Sequence, residues 1–199
     1  MDRDTELALV ERLRQGDADA FDEVYAAFNT RVFTFLVRLS RRRDVAEDLL
    51  EETWLRLVKH ARRLRADTRL APWLFTVARN IHVSYNRSRM LEDSAAPSLI
   101  SLWPFSPDRS SPFEAAAATE LERRIERALA GMPAAAREVL LLVGVAGLDP
   151  ADAADVCGIT PEALRQRLHR ARETLAKALE RDAAAEASGL RRMSSCLSR

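Results

Sequence analysis

Apolar residues recur at three- and four-residue steps along most of the chain, and that spacing predicts helices. Thr5–Arg14 places Leu9, Val10 and Leu13 on one side, with Gly16 set to stop the helix. A longer helix is expected after Asp17–Asp19, because Phe21, Val24, Phe28, Val32, Phe35, Leu36 and Leu39 share one face. Asp44-x-x-Glu47 has the form of a capping box, and the helix it opens carries Val45, Leu49, Leu50, Trp54, Leu57 and Val58. A basic loop, Ala61 to Ala71, leads to a helix with Pro72 in its first turn and Phe75, Ala78 and Ile81 inward. Farther on, Leu121, Ile125 and Leu129 mark a helix within Phe113–Leu129. Pro133 opens another, bearing Val139, Leu140 and Val143, which Gly147 ends. Asp149-Pro150 and Thr160-Pro161 are two starts of one design, a capping side chain followed by proline. No strand signal competes with these periods, so the chain is expected to be all-α.

One stretch breaks the pattern. Residues 94–112 hold four prolines and six serines, which interrupt helices and favour turns. The expected organisation is therefore two small helical domains, 1–92 and 113–182, joined by an extended linker at 93–112. The linker also holds Leu99, Ile100, Leu102, Trp103 and Phe105, apolar groups that pack on a domain or enter a partner's groove. The tail 183–199 is rich in Ala and Ser and is expected to be disordered.

Charge adds more than the net value of +1 suggests. Thr53–Leu91 contains nine Lys and Arg against the single acid Asp67, a net of +8. Asp44–Glu52, just before it, contains five acids and no base, a net of −5. Two abutting fields of opposite sign suit one basic and one polyanionic partner; two solvated helix faces account for them equally well. With 47% apolar and 31% charged residues the composition is that of a folding chain. Two Cys and three His leave no metal site and no disulfide framework. No apolar run approaches membrane-spanning length, and MDRDTELALVERLRQGDADAF lacks the features of a signal peptide. A cytoplasmic protein without direct membrane insertion is expected.

Two constellations carry candidate chemistry. In Asp149–Arg172 a short helix, a glycine turn at Gly158 and a longer basic helix form a helix-turn-helix pattern. Arg165, Gln166, His169, Arg170 and Arg172 point outward, and Arg and Gln can pair with base edges in a major groove. Thr160 and Arg167 lie where phosphates would be met. A plain helical hairpin with a solvated basic face fits the same residues. The second constellation joins Arg62, Arg63, Arg65 and Arg69 to a helix bearing Trp73, Thr76, Arg79, Asn80, Ser84, Tyr85 and Arg87. Cations interleaved with aromatic and polar groups suit a single strand with splayed bases, although Trp73 and Tyr85 serve equally as core residues. Metalloprotease, phosphate-loop and dinucleotide motifs are absent, and His60, His82 and His169 are scattered, as surface or phosphate-contacting residues would be. No catalytic set, cofactor or small-molecule substrate is expected. A free-standing helix-turn-helix regulator and a helical adaptor remain as other readings.

DVAEDLLEETWLRL, APWLFTVARN and AREVLLLVGVAGLDPADAADVCGITPEALRQRLHRARETL, in this order, resemble a bacterial sigma factor of the extracytoplasmic function (ECF) type. DAFDEVYAAF resembles the opening of that family's first domain. The resemblance implies a protein that binds core RNA polymerase and directs it to promoters. It implies that the acidic helix, with Asp44, Glu47, Asp48, Glu51, Glu52 and Leu55, docks on the coiled coil of the polymerase's largest subunit. The flap region is the second implied polymerase contact. Arg62, Arg63, Arg65, Arg69, Trp73, Thr76, Arg79, Asn80, Ser84 and Arg87 would bind and help melt the minus-ten element. Thr160, Arg165, Gln166, Arg167, His169, Arg170 and Arg172 would read the minus-thirty-five element. An anti-sigma factor is the implied regulator. Two departures stand out: Ser84 replaces a frequent acid, and Ala153 replaces a large aliphatic residue, an expected packing loss of about 2 kcal/mol.

Overall fold

The computed structural model describes residues 2–95 and 119–197, which form eight α-helices and one 3-10 turn. They are α1 (Arg3–Gln15), α2 (Ala18–Ser40), α3 (Arg43–His60), α4 (Leu70–Ala95), α5 (Glu120–Ala130), α6 (Ala134–Gly144), α7 (Pro150–Cys157) and α8 (Pro161–Leu197), with the turn at Ala61–Arg63. Most of the expected linker, including Leu99, Ile100, Leu102, Trp103 and Phe105, lies outside the described residues.

Caps set most of the helix ends. Asp2 and Asp17 cap α1 and α2, accepting from the backbone N–H of Thr5 and Asp19. Gly16 closes α1 in the left-handed region at φ 83°, where a side chain is strained. Thr119 and Glu122 form a reciprocal capping box on α5, and Asp149 caps α7 with Pro150 in its first turn. The box expected at Asp44 does not form. Arg42 is the cap residue of α3, and Asp44 sits inside the first turn paired with the Arg42 guanidinium. A strong cation two residues upstream out-competes the backbone N–H for that carboxylate. α6 ends at Gly144 rather than Gly147, with Val145 as its cap; Gly147, at φ 64°, turns the chain afterwards. α8 continues to Leu197, through the tail expected to be disordered, because its Ala, Glu, Leu and Arg residues propagate a helix already nucleated at Pro161.

The inward faces are largely those the spacing predicts. Val10, Val24, Val32, Phe35, Leu36, Leu57, Leu74 and Phe75 are fully buried, and the Phe35 and Phe75 rings meet edge to face at 5.4 Å. Val58 and Leu121, expected inside, are each 58% exposed. Ala153 and Ala154 are fully buried where α7 packs on both α4 and α8. Small side chains at these positions let packed helices approach closely.

The two helical units do not stand apart. α2 packs against α6, and α4 packs against α7, so one apolar core runs through both. Arg31 donates to the Ala146 carbonyl, and Arg38 pairs with Glu126 at 2.6 Å. Arg137, 5% exposed, reaches from α6 to the Leu39 carbonyl at the end of α2.

Candidate functional site

The first surface is a groove between α2 and α3, lined by Phe21, Tyr25, Leu50, Trp54, Leu55 and Val58, with Glu47 and Glu51 on its rim. Trp54 anchors it. Its ring is nearly buried, its Nε1 donates to Asn29 Oδ1 at 3.1 Å, and Tyr25 and Phe21 pack on it at 4.9 and 6.0 Å. Tyr25, Leu55 and Val58 are 41%, 43% and 58% exposed. Clustered apolar exposure of this kind marks a docking face. Of the expected docking residues, Glu47, Glu51 and Leu55 belong to the groove, while Asp44, Asp48 and Glu52 lie on the same helix outside its lining. Glu47 and Glu52 are engaged within α3 by Arg43 and Arg56, at 2.9 and 2.8 Å. The Arg56 guanidinium holds the Glu52 carboxyl below its usual range, and Arg42 does the same for Asp44. The sequence does not single out Tyr25, and it places Val58 in the core rather than on a docking surface. The signal was present as Leu55 and Val58 on an acidic helix face, three residues apart.

The second surface is the basic loop and outer face of α4. Arg62, Arg63, Arg65, Asn80, Ser84 and Arg87 are exposed, whereas Trp73, Thr76 and Arg79 are half-buried. Thr76 Oγ1 donates to the Pro72 carbonyl, one turn back. Arg65 is paired with Asp67, whose carboxyl it holds below the usual range. Arg69 and Arg79 are engaged by the other unit. Arg69 pairs with Asp152 and lies 3.5 Å from Asp149; Arg79 Nε donates to Glu138 at 2.9 Å.

His82 lies beneath this surface, 8% exposed, and not outside as its scattered position suggested. Its Nε2 is 3.2 Å from Asn86 Nδ2, a donor-only group, so the ring accepts there and is neutral. Burial pushes its pKa below 6.5, with Arg137 and Arg79 adding to that and Glu138 opposing it. The stability this contributes is complete above pH 6.5 and is lost as pH falls below it, because only the unfolded ring then takes up a proton. Unfolding free energy measured from pH 7.5 to 5 should fall more steeply for the parent chain than for His82→Gln. Equal slopes would sink this assignment. Cys157 is buried nearby with its thiol 3.8 Å from Glu138, and burial raises its pKa to about 11, so it packs as an inert apolar group.

The third surface is the start of α8. Thr160 Oγ1 accepts from the Ala163 N–H at 3.2 Å, so the threonine caps the helix. Arg165, Gln166, His169, Arg170 and Arg172 are exposed along one side, and Arg167 is half-buried. Glu162, missed in the sequence, organises them: it accepts from Arg165 Nε at 3.1 Å and from Gln166 Nε2 at 3.1 Å. The Arg165 guanidinium in turn keeps the Glu162 carboxyl below its usual range. α7, Gly158 at φ 66° and α8 have the geometry of a helix-turn-helix, with the exposed cations on the second helix. Among the described residues no group of His, Cys, Asp and Glu could hold a metal ion, and no helix is long and apolar enough to cross a membrane.

Residues 24–92 match the family Sigma-70 region 2, and residues 122–175 match Sigma-70, region 4. RNA polymerase sigma factor CarQ of Myxococcus xanthus is 35% identical over 85% of this chain and 95% of its own length. ECF RNA polymerase sigma factor EcfG of Rhodopseudomonas palustris is 32% identical over 82% of this chain and 86% of its own. The chain belongs to the ECF sigma factors. A solved structure of the sigma factor RpoE in complex with the anti-sigma factor NepR, from Bartonella quintana, matches this sigma factor with a TM-score of 0.66 and 26% identity. That match covers 80% of this chain and 96% of RpoE. CnrH, solved with the cytosolic domain of CnrY, shares the fold at a TM-score of 0.66 and 20% identity, over 89% of this chain. The region 2 match contains the α2–α3 groove apart from Phe21, and the basic face of α4; the region 4 match contains the helix-turn-helix.

Proposed function

We propose that this sigma factor docks on the coiled coil of the polymerase's largest subunit through the α2–α3 groove. Tyr25, Leu55 and Val58 supply the apolar centre, and Glu47, Asp48, Glu51, Glu52 and Asp44 supply an acidic surround that steers a basic partner. The carrying observation is the coincidence of exposed apolar groups and acids on one groove, on a chain whose α8 also presents a row of exposed cations. Arg62, Arg63, Arg65, Arg69, Trp73, Thr76, Arg79, Asn80, Ser84 and Arg87 bind the minus-ten element. Arg165, Gln166, His169, Arg170 and Arg172 read the minus-thirty-five element in the major groove, with Thr160 and Arg167 at its phosphates. The polymerase performs the chemistry, and the sigma factor works in the cytoplasm. The similarity to RpoE, solved with NepR, supports control by an anti-sigma factor.

Co-purification with bacterial core RNA polymerase, followed by transcription from a library of random promoters, tests this reading. A two-part motif selected by the complex supports it. A chain that ignores core and binds duplex DNA alone is instead a helix-turn-helix regulator. Arg165→Ala and Arg170→Ala should each cost about 1–3 kcal/mol at the upstream element if the side chain meets a base. The selected motif should relax at one position, and an unchanged motif for both variants removes α8 as the reading helix.

A further inference from the structure

The basic loop between α3 and α4 is fastened along α1. At one end Arg62 lies over Gly16, where an added Cβ would stand 3.6 Å from its Nη2. At the other end α4 starts without help from its own cap residue. The Arg69 carbonyl accepts from the Trp73 N–H at 3.1 Å, yet arginine carries no side-chain oxygen to answer the free N–H groups of the first turn. Glu6, 64 positions earlier, supplies one: the Leu70 N–H donates to Glu6 Oε1 at 2.8 Å. This is a charge-assisted bond, and it sets a negative group at the positive end of α4. The Glu6 side chain is only 14% exposed, and Arg3 answers its charge by donating to Oε2 at 2.7 Å. The same guanidinium donates through Nη2 to the Asp67 carbonyl at 2.8 Å. Asp67 in turn holds Arg65 through its carboxylate, and Leu70 directly follows Arg69. α1 lies outside the region 2 match, which begins at residue 24.

We propose that Arg3 and Glu6 are positioning residues for the minus-ten surface, and that α1 is the splint that sets Arg65 and Arg69 where the unpaired strand meets them. This rests on the reading of the loop as part of that surface. Neither residue has to touch the strand. Both act through the backbone at Asp67 and Leu70, so losing them leaves every cation of the loop in place and loosens only how the loop presents it. The tether is separable from the fold, because α1 is held on the core by Leu9, Val10 and Leu13. A loop that keeps its binding shape in about a tenth of molecules weakens the measured affinity on the order of tenfold, since the apparent Kd scales inversely with that fraction.

The probe is a promoter fragment selected from the random library, labelled with fluorescein, its minus-ten segment left single-stranded. The full chain binds it together with core polymerase. Arg3→Met with Glu6→Ala removes both tethers, and methionine and alanine are good helix formers, so α1 persists. This double variant should bind the probe on the order of tenfold more weakly than the parent, and its selected minus-ten motif should relax. The minus-thirty-five motif, co-purification with core and the circular dichroism should match the parent, which a general loss of structure would not allow. Glu6→Gln alone keeps an acceptor of the same shape and should retain most of the affinity. Equal affinity with an unchanged minus-ten motif in the double variant overturns the proposal. A loss that spreads to the minus-thirty-five motif or to core binding overturns it as well. Failure of the underlying reading has a separate signature: Arg62→Ala with Arg65→Ala, in the otherwise unaltered chain, would leave binding to the probe unchanged.

Discussion

Leu55→Asp combined with Glu51→Lys should abolish co-purification with core RNA polymerase while leaving helix content and the unfolding midpoint unchanged. Leu55 is 43% exposed and lies in the groove beside Trp54 and Val58. A charge there costs little in the free chain, because water already reaches it. In a docked complex the same carboxylate would be stripped of water inside an apolar centre. Central apolar anchors of interfaces typically cost 2 kcal/mol or more when lost, and an unpaired buried charge adds to that. Glu51→Lys acts by another route, reversing the field that steers a basic partner and slowing association, most strongly at low salt. Asp48→Lys with Glu51→Lys should therefore weaken binding in a salt-dependent way, and Leu55→Asp in a salt-independent way. Core affinity that survives the combined change means that the groove is not the docking face.

The second large effect concerns Arg137. It lies 5% exposed between the two units, and its guanidinium donates to four carbonyls. Leu129 and Met132 accept at 2.9 Å, and Ala130 and Leu39 at 3.4 Å. Leu129 and Ala130 end α5, and Leu39 ends α2, so one cation serves the negative ends of two helices. Burial pushes the Arg137 pKa down from its usual value, with Arg41 adding to that, and these helix ends offset the cost of keeping it charged. Arg137→Ala removes a donor from four carbonyls in a space too enclosed for ready hydration, although Leu129 still accepts from the Met132 N–H at 3.1 Å. The expected loss is about 3 kcal/mol of unfolding free energy. Arg137→Lys should recover less than half of it, because one ammonium cannot span divergent acceptors as a planar fork does. Urea unfolding of the three chains measures this. A loss below about 1 kcal/mol for Arg137→Ala would mean that water replaces the guanidinium, and the clasp then contributes little.

Arg137 also shows where the sequence stops being informative. It sits in AREVLLL, where an arginine beside a glutamate in a first turn reads as solvated. Glu138 next to it is buried as well, held by Arg79 from 59 positions earlier. Nothing local distinguishes these two from the exposed charges of α3. Val58 and Leu121 fail in the opposite direction: each continues an apolar period and each is exposed. A period of 3.6 identifies a face, but the residues at the edge of that face are buried only if a neighbouring helix reaches them. At Asp44 a capping-box pattern was present, and a nearby arginine took the carboxylate.

The sequence by itself determined the helices, their order, the helix-turn-helix and the family, because these depend on local spacing, on caps and on motif residues close together in the chain. It also placed the five acids of α3 and the cations of α4 and α8, since charge is a property of composition. The tertiary structure decided which of those charges are free. Packing α4 against α7 and α2 against α6 turned Arg69 and Arg79 toward Asp152 and Glu138, and left Leu55 and Arg165 facing solvent. The reason is that pairing between residues 59 or 83 positions apart is set by the three-dimensional approach of helices, which no local pattern records.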